Sequence, residues 1–199
     1  MAEIKRTKVV DNWKLKSWYT VFAPGTFESK PIGQIVALEE ENLANRIVKT
    51  GLGELTGSFS QGAAFTSIFF RVDKVSGKSV STKFIGHELA PSYIKTLLRR
   101  RRSILYLVDD VVAKDGKAMR IKSVAVTAFR ESENVRHDLR MAVSREIKAV
   151  AAESDLDTLV QEIVFGKFSA KVFGRVKAIT PLRRLEIRKS EVVEKFDSK

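Results

Sequence analysis

Apolar and polar residues alternate along positions 66 to 89: Ile68, Phe70 and Val72 interleave with Ser67, Phe69 and Arg71, and after Ser76-Gly77 the pattern resumes with Val80, Thr82 and Phe84. Side chains of a strand point to opposite faces in turn, so this stretch predicts a hairpin. A second pair of strands, 104–113 and 117–129, is joined by Asp115-Gly116, a dipeptide suited to the positive φ angles of a tight hairpin turn. Between the hairpins Ala90-Pro91-Ser92 opens a helix, with the proline in the first turn where its missing N–H costs nothing.

From Asn134 the period lengthens. Val135, Leu139, Ala142/Val143, Ile147 and Val150 form one helical stripe, with Arg136, Arg140, Arg145 and Lys148 mostly off it. A second helix is expected from Ser154 or Asp155 through Leu159, Ile163, Phe168, Val172 and Val176, stopping at Pro181, with Gly166 and Gly174 inside it. Leu182 to Lys189 alternates again, predicting a short strand that buries Leu185 and Ile187, with Arg184 and Arg188 on one face and Arg183 and Lys189 on the other.

The first twenty residues show neither period. Lys5, Arg6, Lys8, Lys14 and Lys16 are mixed with Trp13, Trp18 and Tyr19, which reads as an extended basic arm. Pro24-Gly25 and Pro31-Ile32-Gly33 mark turns, and Glu39 to Asn42 a solvated helical start. The predicted organisation is one domain over 1–199: an arm (1–20), a β-rich core with one inserted helix (21–133), two helices (134–181), and a short strand and tail (182–199).

Composition narrows what such a fold can do. The 199 residues carry a formal net charge of +12, with 44% hydrophobic residues and no cysteine. A real core is affordable, while disulfides, thiolate metal sites and cysteine nucleophiles are excluded. No apolar run approaches the ~18 residues of a membrane span, and the N-terminus lacks the apolar centre of a signal peptide, so a cytoplasmic location is expected. The charge is uneven: residues 51–103 hold nine basic and three acidic residues, residues 166–190 eight basic residues against Glu186, and residues 151–165 are purely acidic. Such polarity suits a protein with a docking side and a solvent side.

Catalytic motifs do not close. Gly77-Lys78-Ser79 resembles the end of a phosphate loop, but Val72 stands where that loop needs a glycine. Gly51, Gly53 and Gly57 are misplaced for a dinucleotide loop and read as turn or bulge glycines. His87-Glu88 opens like a zinc-protease helix, yet Pro91 occupies the second histidine position. Asp109 and Asp110 are neighbours on a strand, so they point apart and cannot share a metal or proton. No metal or cofactor is expected.

Basic residues form the positive signal. Arg99, Arg100, Arg101 and Arg102 tip the helix that Ala90-Pro91-Ser92 opens; continued helically they would span roughly 300° of its circumference, more than one solvated stripe can hold. Helix-dipole stabilisation explains one or two cations at such an end, not four. Arginine forks onto phosphate oxygens, so a polyanion is the expected partner. The arm adds Trp13 and Trp18 among its lysines, suited to base stacking or to anchoring on the core. Arg71, Lys74, Lys83, Arg120 and Lys122 lie on the hairpins, and Arg183, Arg184, Arg188 and Lys189 on the last strand. His87 has a capping, core or RNA-facing role.

Several segments carry a family resemblance: Lys83-Phe84-Ile85-Gly86-His87-Glu88-Leu89, the arginine run, Lys114-Asp115-Gly116, Val164-Phe165-Gly166-Lys167, and Leu182 through Ser190, with Trp18-Tyr19 followed by Ala23-Pro24. In order and over nearly the whole chain, they resemble the S3Ae family of archaeal and eukaryotic small-subunit ribosomal proteins, and the short tail is similar to archaeal members. The resemblance implies an α+β protein with a mainly antiparallel β-barrel-like core of hairpins, flanked by amphipathic helices, and a basic arm threading into RNA. It implies a structural constituent of the small ribosomal subunit rather than an enzyme, on the platform near the ribosomal RNA 3′ end and the messenger exit. Partners would be small-subunit ribosomal RNA, neighbouring ribosomal proteins and messenger RNA, with no membrane. The expected RNA contacts are Lys5, Arg6, Lys8, Trp13, Lys14, Lys16, Trp18, Arg71, Lys83, His87, Arg99 to Arg102, Arg120, Lys122, Arg183, Arg184, Arg188 and Lys189. Two alternatives stay open: a free single-stranded-RNA-binding barrel or RNA chaperone, and an RNA-processing hydrolase using acids such as Asp109 with a divalent ion.

Overall fold

Two long strands, β4 (Thr66–Ser76) and β5 (Ser79–Leu89), form the first predicted hairpin, and each contributes residues to two compact units of the chain. The computed structural model describes residues 11, 13–57, 61–178 and 180–194. Lys5, Arg6 and Lys8 lie outside the described residues.

The first unit comprises the described residues up to Val48, together with Arg71–Lys83. In it β1 (Ser17–Phe22) pairs antiparallel with β2 (Pro31–Ala37), placing Tyr19 opposite Ile35, and parallel with the start of β5, placing Val21 opposite Val80. Tyr19, Val21, Ala37, Leu43, Val72 and Val80 make a buried cluster. Thr82 donates its hydroxyl hydrogen to the Phe22 carbonyl at 2.8 Å, tying strands sixty residues apart in sequence. Trp18 and Tyr19, expected in an extended arm, therefore sit on a strand: pleating buries Tyr19 and leaves Trp18 out.

The second unit spans Lys49–Phe70 and the chain from Phe84 onward. Its helices are α1 (Leu52–Thr56), α2 (Gln61–Ala64), α3 (Pro91–Leu97), α4 (Glu133–Glu153), α5 (Leu156–Val164) and α6 (Lys167–Val176). β3 (Ile47–Gly51) runs into this unit and pairs with β4. The remaining strands are β6 (Ile104–Val112), β7 (Ala118–Thr127) and β8 (Leu182–Val192). The order β5-β8-β7-β6 is antiparallel throughout and ends at β6, so the sheet is open rather than returning on itself. α4 packs on β6 and α6, and α6 on α5 and β8. Leu105, Met119, Ile121, Leu139, Ile147, Leu159 and Phe168 are fully buried between these layers; each such aliphatic or aromatic side chain contributes about 1.5–3 kcal/mol relative to exposure.

The second hairpin turns at Gly116, whose φ is 76°, as the Asp-Gly pair requires. That turn also docks on the α4–α5 junction: Lys114 N–H donates to Ser154 O at 3.1 Å, and Leu156 N–H donates to Asp115 Oδ2 at 3.3 Å. Asp115 thus supplies the carboxylate at the start of α5 that a capping residue would give locally.

Where one long helix was expected after Ser154, two form. Gly166, with φ at 74°, ends α5 and turns the chain into α6. Only a glycine takes that left-handed conformation without steric cost, so it acts as a stop rather than a loosened position.

Candidate nucleic-acid interface

α3 stops at Leu97, because Leu98 turns extended (φ −73°, ψ 122°) and Arg101 enters the left-handed region at φ 62°. The four arginines consequently occupy a sharp turn leading into β6 and not a helix end, which removes the circumference problem. A non-glycine residue in that region costs roughly 1–2 kcal/mol. Arg99, Arg100 and Arg101 are exposed and Arg102 is half-buried, and of the four Arg99 and Arg102 border one cleft of about 310 Å³.

β8 supplies the cleft's other side, by way of a second backbone irregularity. The β7–β8 register steps from Val126↔Arg184 to Thr127↔Leu182, leaving Arg183 as an extra residue, and from Lys122↔Lys189 to Ser123↔Ile187, leaving Arg188 likewise. Both irregularities are β-bulges, and an inserted residue breaks the two-residue alternation and re-aims its side chain. The expected split of Arg183 and Arg184 between opposite faces therefore fails: both are exposed, both line the cleft, and Leu185 and Ile187 are buried.

Tyr93, Thr96 and Leu97 of α3 complete the cleft with Val126. Spacings of three and four place those helix residues on one face, a signal present in the sequence but obscured by the adjacent arginines. The Tyr93 hydroxyl donates to Glu186 Oε1 at 3.2 Å and accepts from Arg184 Nη1 at 3.0 Å, and Arg184 also pairs with Glu186 at 3.2 Å. Partial burial and then the Glu186 charge raise the Tyr93 pKa, which keeps the phenol neutral.

Other expected contacts are committed within the protein. Arg120 forks onto its cross-strand partner Asp110, Nε to Oδ1 at 2.7 Å and Nη2 to Oδ2 at 3.0 Å. That guanidinium holds the Asp110 carboxyl below its usual range. Lys122 and Lys189 share Glu191 at 3.2 and 2.6 Å, and Lys83 meets Asp73 at 3.2 Å. Exposed pairs of this kind stabilise little, so they exchange readily for phosphate but at the cost of an existing partner. Arg99, Arg100, Arg101, Arg183 and Arg188 have no ion pair among the described residues.

Of the roles open to His87, the structure takes the core one and not the RNA-facing one. It is 2% exposed, with Nδ1 at 2.6 Å from Ser190 Oγ and Nε2 at 3.2 Å from the Ile187 carbonyl. A carbonyl only accepts, so Nε2 carries the hydrogen and Nδ1 accepts from the serine hydroxyl. Burial lowers its pKa to about 4, against the smaller raising effect of the Ile187 bond.

In the first unit, Trp13 and Trp18 are 62% and 59% exposed, Lys14 and Lys16 are exposed, and Lys16 Nζ lies 4.7 Å from the Trp13 ring centroid. Arg71 is half-buried on β4. Lys16 and Trp13 pair a cation with a ring, the combination that follows phosphates and stacks bases.

Asp109 and Asp110 do not converge on one site. Asp109 is buried and accepts from the Ser144 hydroxyl, while Asp110 points to the opposite side into Arg120. Among the described residues no group of three or more potential metal ligands converges. No described helix is long and apolar enough to cross a membrane.

Comparison with known proteins supplies the family. The Ribosomal S3Ae family profile matches residues 4–195. The "Small ribosomal subunit protein eS1" of Sulfurisphaera tokodaii is 37% identical over 189 residues, covering 95% of this chain and 97% of the relative. Proteins of the same name from Methanoculleus marisnigri and Methanothrix thermoacetophila are 36% identical over 183 residues and 39% identical over 180 residues. These align with 92% and 90% of this chain, and with 92% and 84% of the respective relatives. With a single profile running through the β1 aromatics, the arginine turn, the Asp-Gly hairpin and β8, the chain belongs to the Ribosomal S3Ae family.

Proposed function

We propose that this protein is a structural constituent of the small ribosomal subunit, held to ribosomal RNA by phosphate neutralisation and shape. The observation that carries the reading is the arginine cleft, in a chain whose close relatives are named as small-subunit proteins: the Arg99–Arg102 turn and the bulged β8 bring four guanidiniums together around one opening. Like charges so placed repel, and a polyanion turns that cost into binding. Contacts of this kind position a protein on RNA without reading sequence.

The site on the ribosome is the platform, near the ribosomal RNA 3′ end and the messenger exit, with neighbouring ribosomal proteins and messenger RNA as further partners. Supporting this address is the family resemblance over nearly the whole chain. Exposed Trp13 and Trp18 give the first unit its own means of meeting RNA, by stacking. The protein acts as a scaffold and not as a catalyst; its location is the cytoplasmic ribosome.

The test is co-sedimentation. After a moderate salt wash the protein should remain stoichiometric with small subunits on a gradient; recovery only in the ribosome-free fraction would sink the proposal. A free RNA chaperone would instead bind unstructured single strands as well as it binds the small-subunit RNA.

A further inference from the structure

The arginine cleft does not stand alone. A second cleft of about 450 Å³ shares Tyr93, Arg183 and Arg184 with it, so the two adjoin across those three residues. Their chemistry differs. The first is bordered by Arg99, Arg102, Arg183 and Arg184, with Val126 and Leu97 as its apolar part. The second has a mixed wall, in which Leu89, Ile163, Phe165 and Phe173 stand beside Thr56, Thr66 and Ser169. Phe165 is 51% exposed at the junction of α5 and α6, a position where packing alone gives no reason for a phenyl ring.

Arg102 identifies what the first cleft holds. Its Nη1 is enclosed by protein and has no hydrogen-bond partner. A guanidinium N–H removed from water and left without an acceptor is among the most costly groups a fold can contain. Two departures from regular backbone, the left-handed Arg101 and the β-bulge at Arg183, nevertheless direct arginines toward this opening. Among the described residues lining the two clefts the sole acid is Glu186, in the second; it is engaged by Tyr93 and Arg184 and leaves the other guanidiniums uncompensated. A phosphate has the charge and the several acceptor oxygens that Arg99, Arg102 and Arg183 together would satisfy.

Resting on the RNA-binding reading above, we infer that the paired clefts hold one nucleotide lifted out of its helix. Its phosphate lies among Arg99, Arg102 and Arg183, and its base enters the neighbouring cleft beside Phe165 and Phe173, where Thr56, Thr66 and Ser169 offer its polar edge partners. RNA recognition favours unstacked bases, which insert between aromatic and apolar side chains while their phosphates meet arginine. The combined volume suits a nucleotide and exceeds what a lone phosphate fills, which accounts for a chamber with aromatic rings adjoining a cationic one.

Ultraviolet cross-linking of intact small subunits containing the protein, read by mass spectrometry, tests this directly. A nucleotide adduct on Tyr93, Phe165 or Phe173 is expected. Adducts confined to other places, such as Trp18, would overturn the inference while leaving RNA binding intact. Absence of the protein from subunits, with no RNA adduct anywhere, would overturn both. A protein–protein cross-link placing a neighbouring chain in the clefts would overturn the nucleotide reading alone.

Titration of the isolated full-length chain adds a second measure. Adenosine 5′-monophosphate should bind at least tenfold more tightly than either inorganic phosphate or adenosine. Arg102→Ala should weaken the monophosphate and inorganic phosphate about equally, by roughly tenfold, and leave adenosine unchanged. Equal affinity for phosphate and the monophosphate would eliminate the base chamber.

Discussion

His87 Nδ1 accepts the hydroxyl hydrogen of Ser190 at 2.6 Å, inside the sheet where β5 meets β8. Its pKa of about 4, against 6.5 for an ordinary histidine, makes this contact pH-sensitive. Between those values the unfolded chain binds a proton that the folded protein refuses, so His87's contribution to stability is complete above about pH 6.5 and is lost as pH falls toward 4. The shift corresponds to roughly 3 kcal/mol. Denaturant melts at pH 7 and pH 4.5 should show this loss, and His87→Gln should flatten that part of the profile whatever its own stability. An identical pH difference in the variant would contradict the assignment.

Gly86 is required by the same strand pair. A Cβ there would lie 2.3 Å from the Ser190 carbonyl oxygen, a backbone atom that moves only with the sheet. Gly86→Ala should destabilise the protein by about 1–3 kcal/mol through overpacking, read from the denaturation midpoint. Gly33→Ala, where a Cβ would meet nothing within 4 Å, is the control.

At Arg101 the backbone, not the side chain, sets the response. Arg101→Gly relieves a left-handed conformation worth roughly 1 kcal/mol, while the freer unfolded chain offsets part of the gain. Stability should remain within about 1 kcal/mol of the parent. Arg101→Val, with a branched carbon at φ 62°, should be clearly less stable. Thermal melts of the two variants decide it.

Arg188 and Arg120 should differ in their effect on RNA. Arg188 is a bulged, exposed residue with no ion pair among the described residues, while Arg120 is already forked onto Asp110. Arg188→Ala should reduce the magnitude of the log affinity against log salt slope by roughly 0.7–0.9, and Arg120→Ala by much less. Filter binding to small-subunit RNA over a salt series supplies both slopes.

The hairpins were legible in the sequence because Ser76-Gly77 and Asp115-Gly116 state their turns locally, and the flanking residues alternate cleanly. α4 was legible for the same reason, its apolar stripe being complete within the helix. β1 was not: its burial depends on a parallel partner sixty residues away, and Trp18 beside Tyr19 gives no clean alternation in an isolated window. The bulges at Arg183 and Arg188 were equally invisible, because a bulge is a relation between two strands and the β7 register is not written in β8. For His87 the sequence left core and RNA-facing roles open, since a lone histidine reveals nothing of its burial. The arginine run was recognised correctly as a cluster and wrongly as a helix end, for want of a residue that advertises the left-handed turn at Arg101.

The two bulges also divide labour along β8 in a way that bears on how such a protein can change over generations. Leu185 and Ile187 answer to the core, whereas Arg183 and Arg188 stand outside the ladder that keeps those residues in place. Substitutions at the bulged positions can change the charged rim without disturbing packing, and substitutions in the core can be screened without altering that rim. One strand thereby carries two nearly independent sets of constraints, one imposed by its own fold and one by its partner.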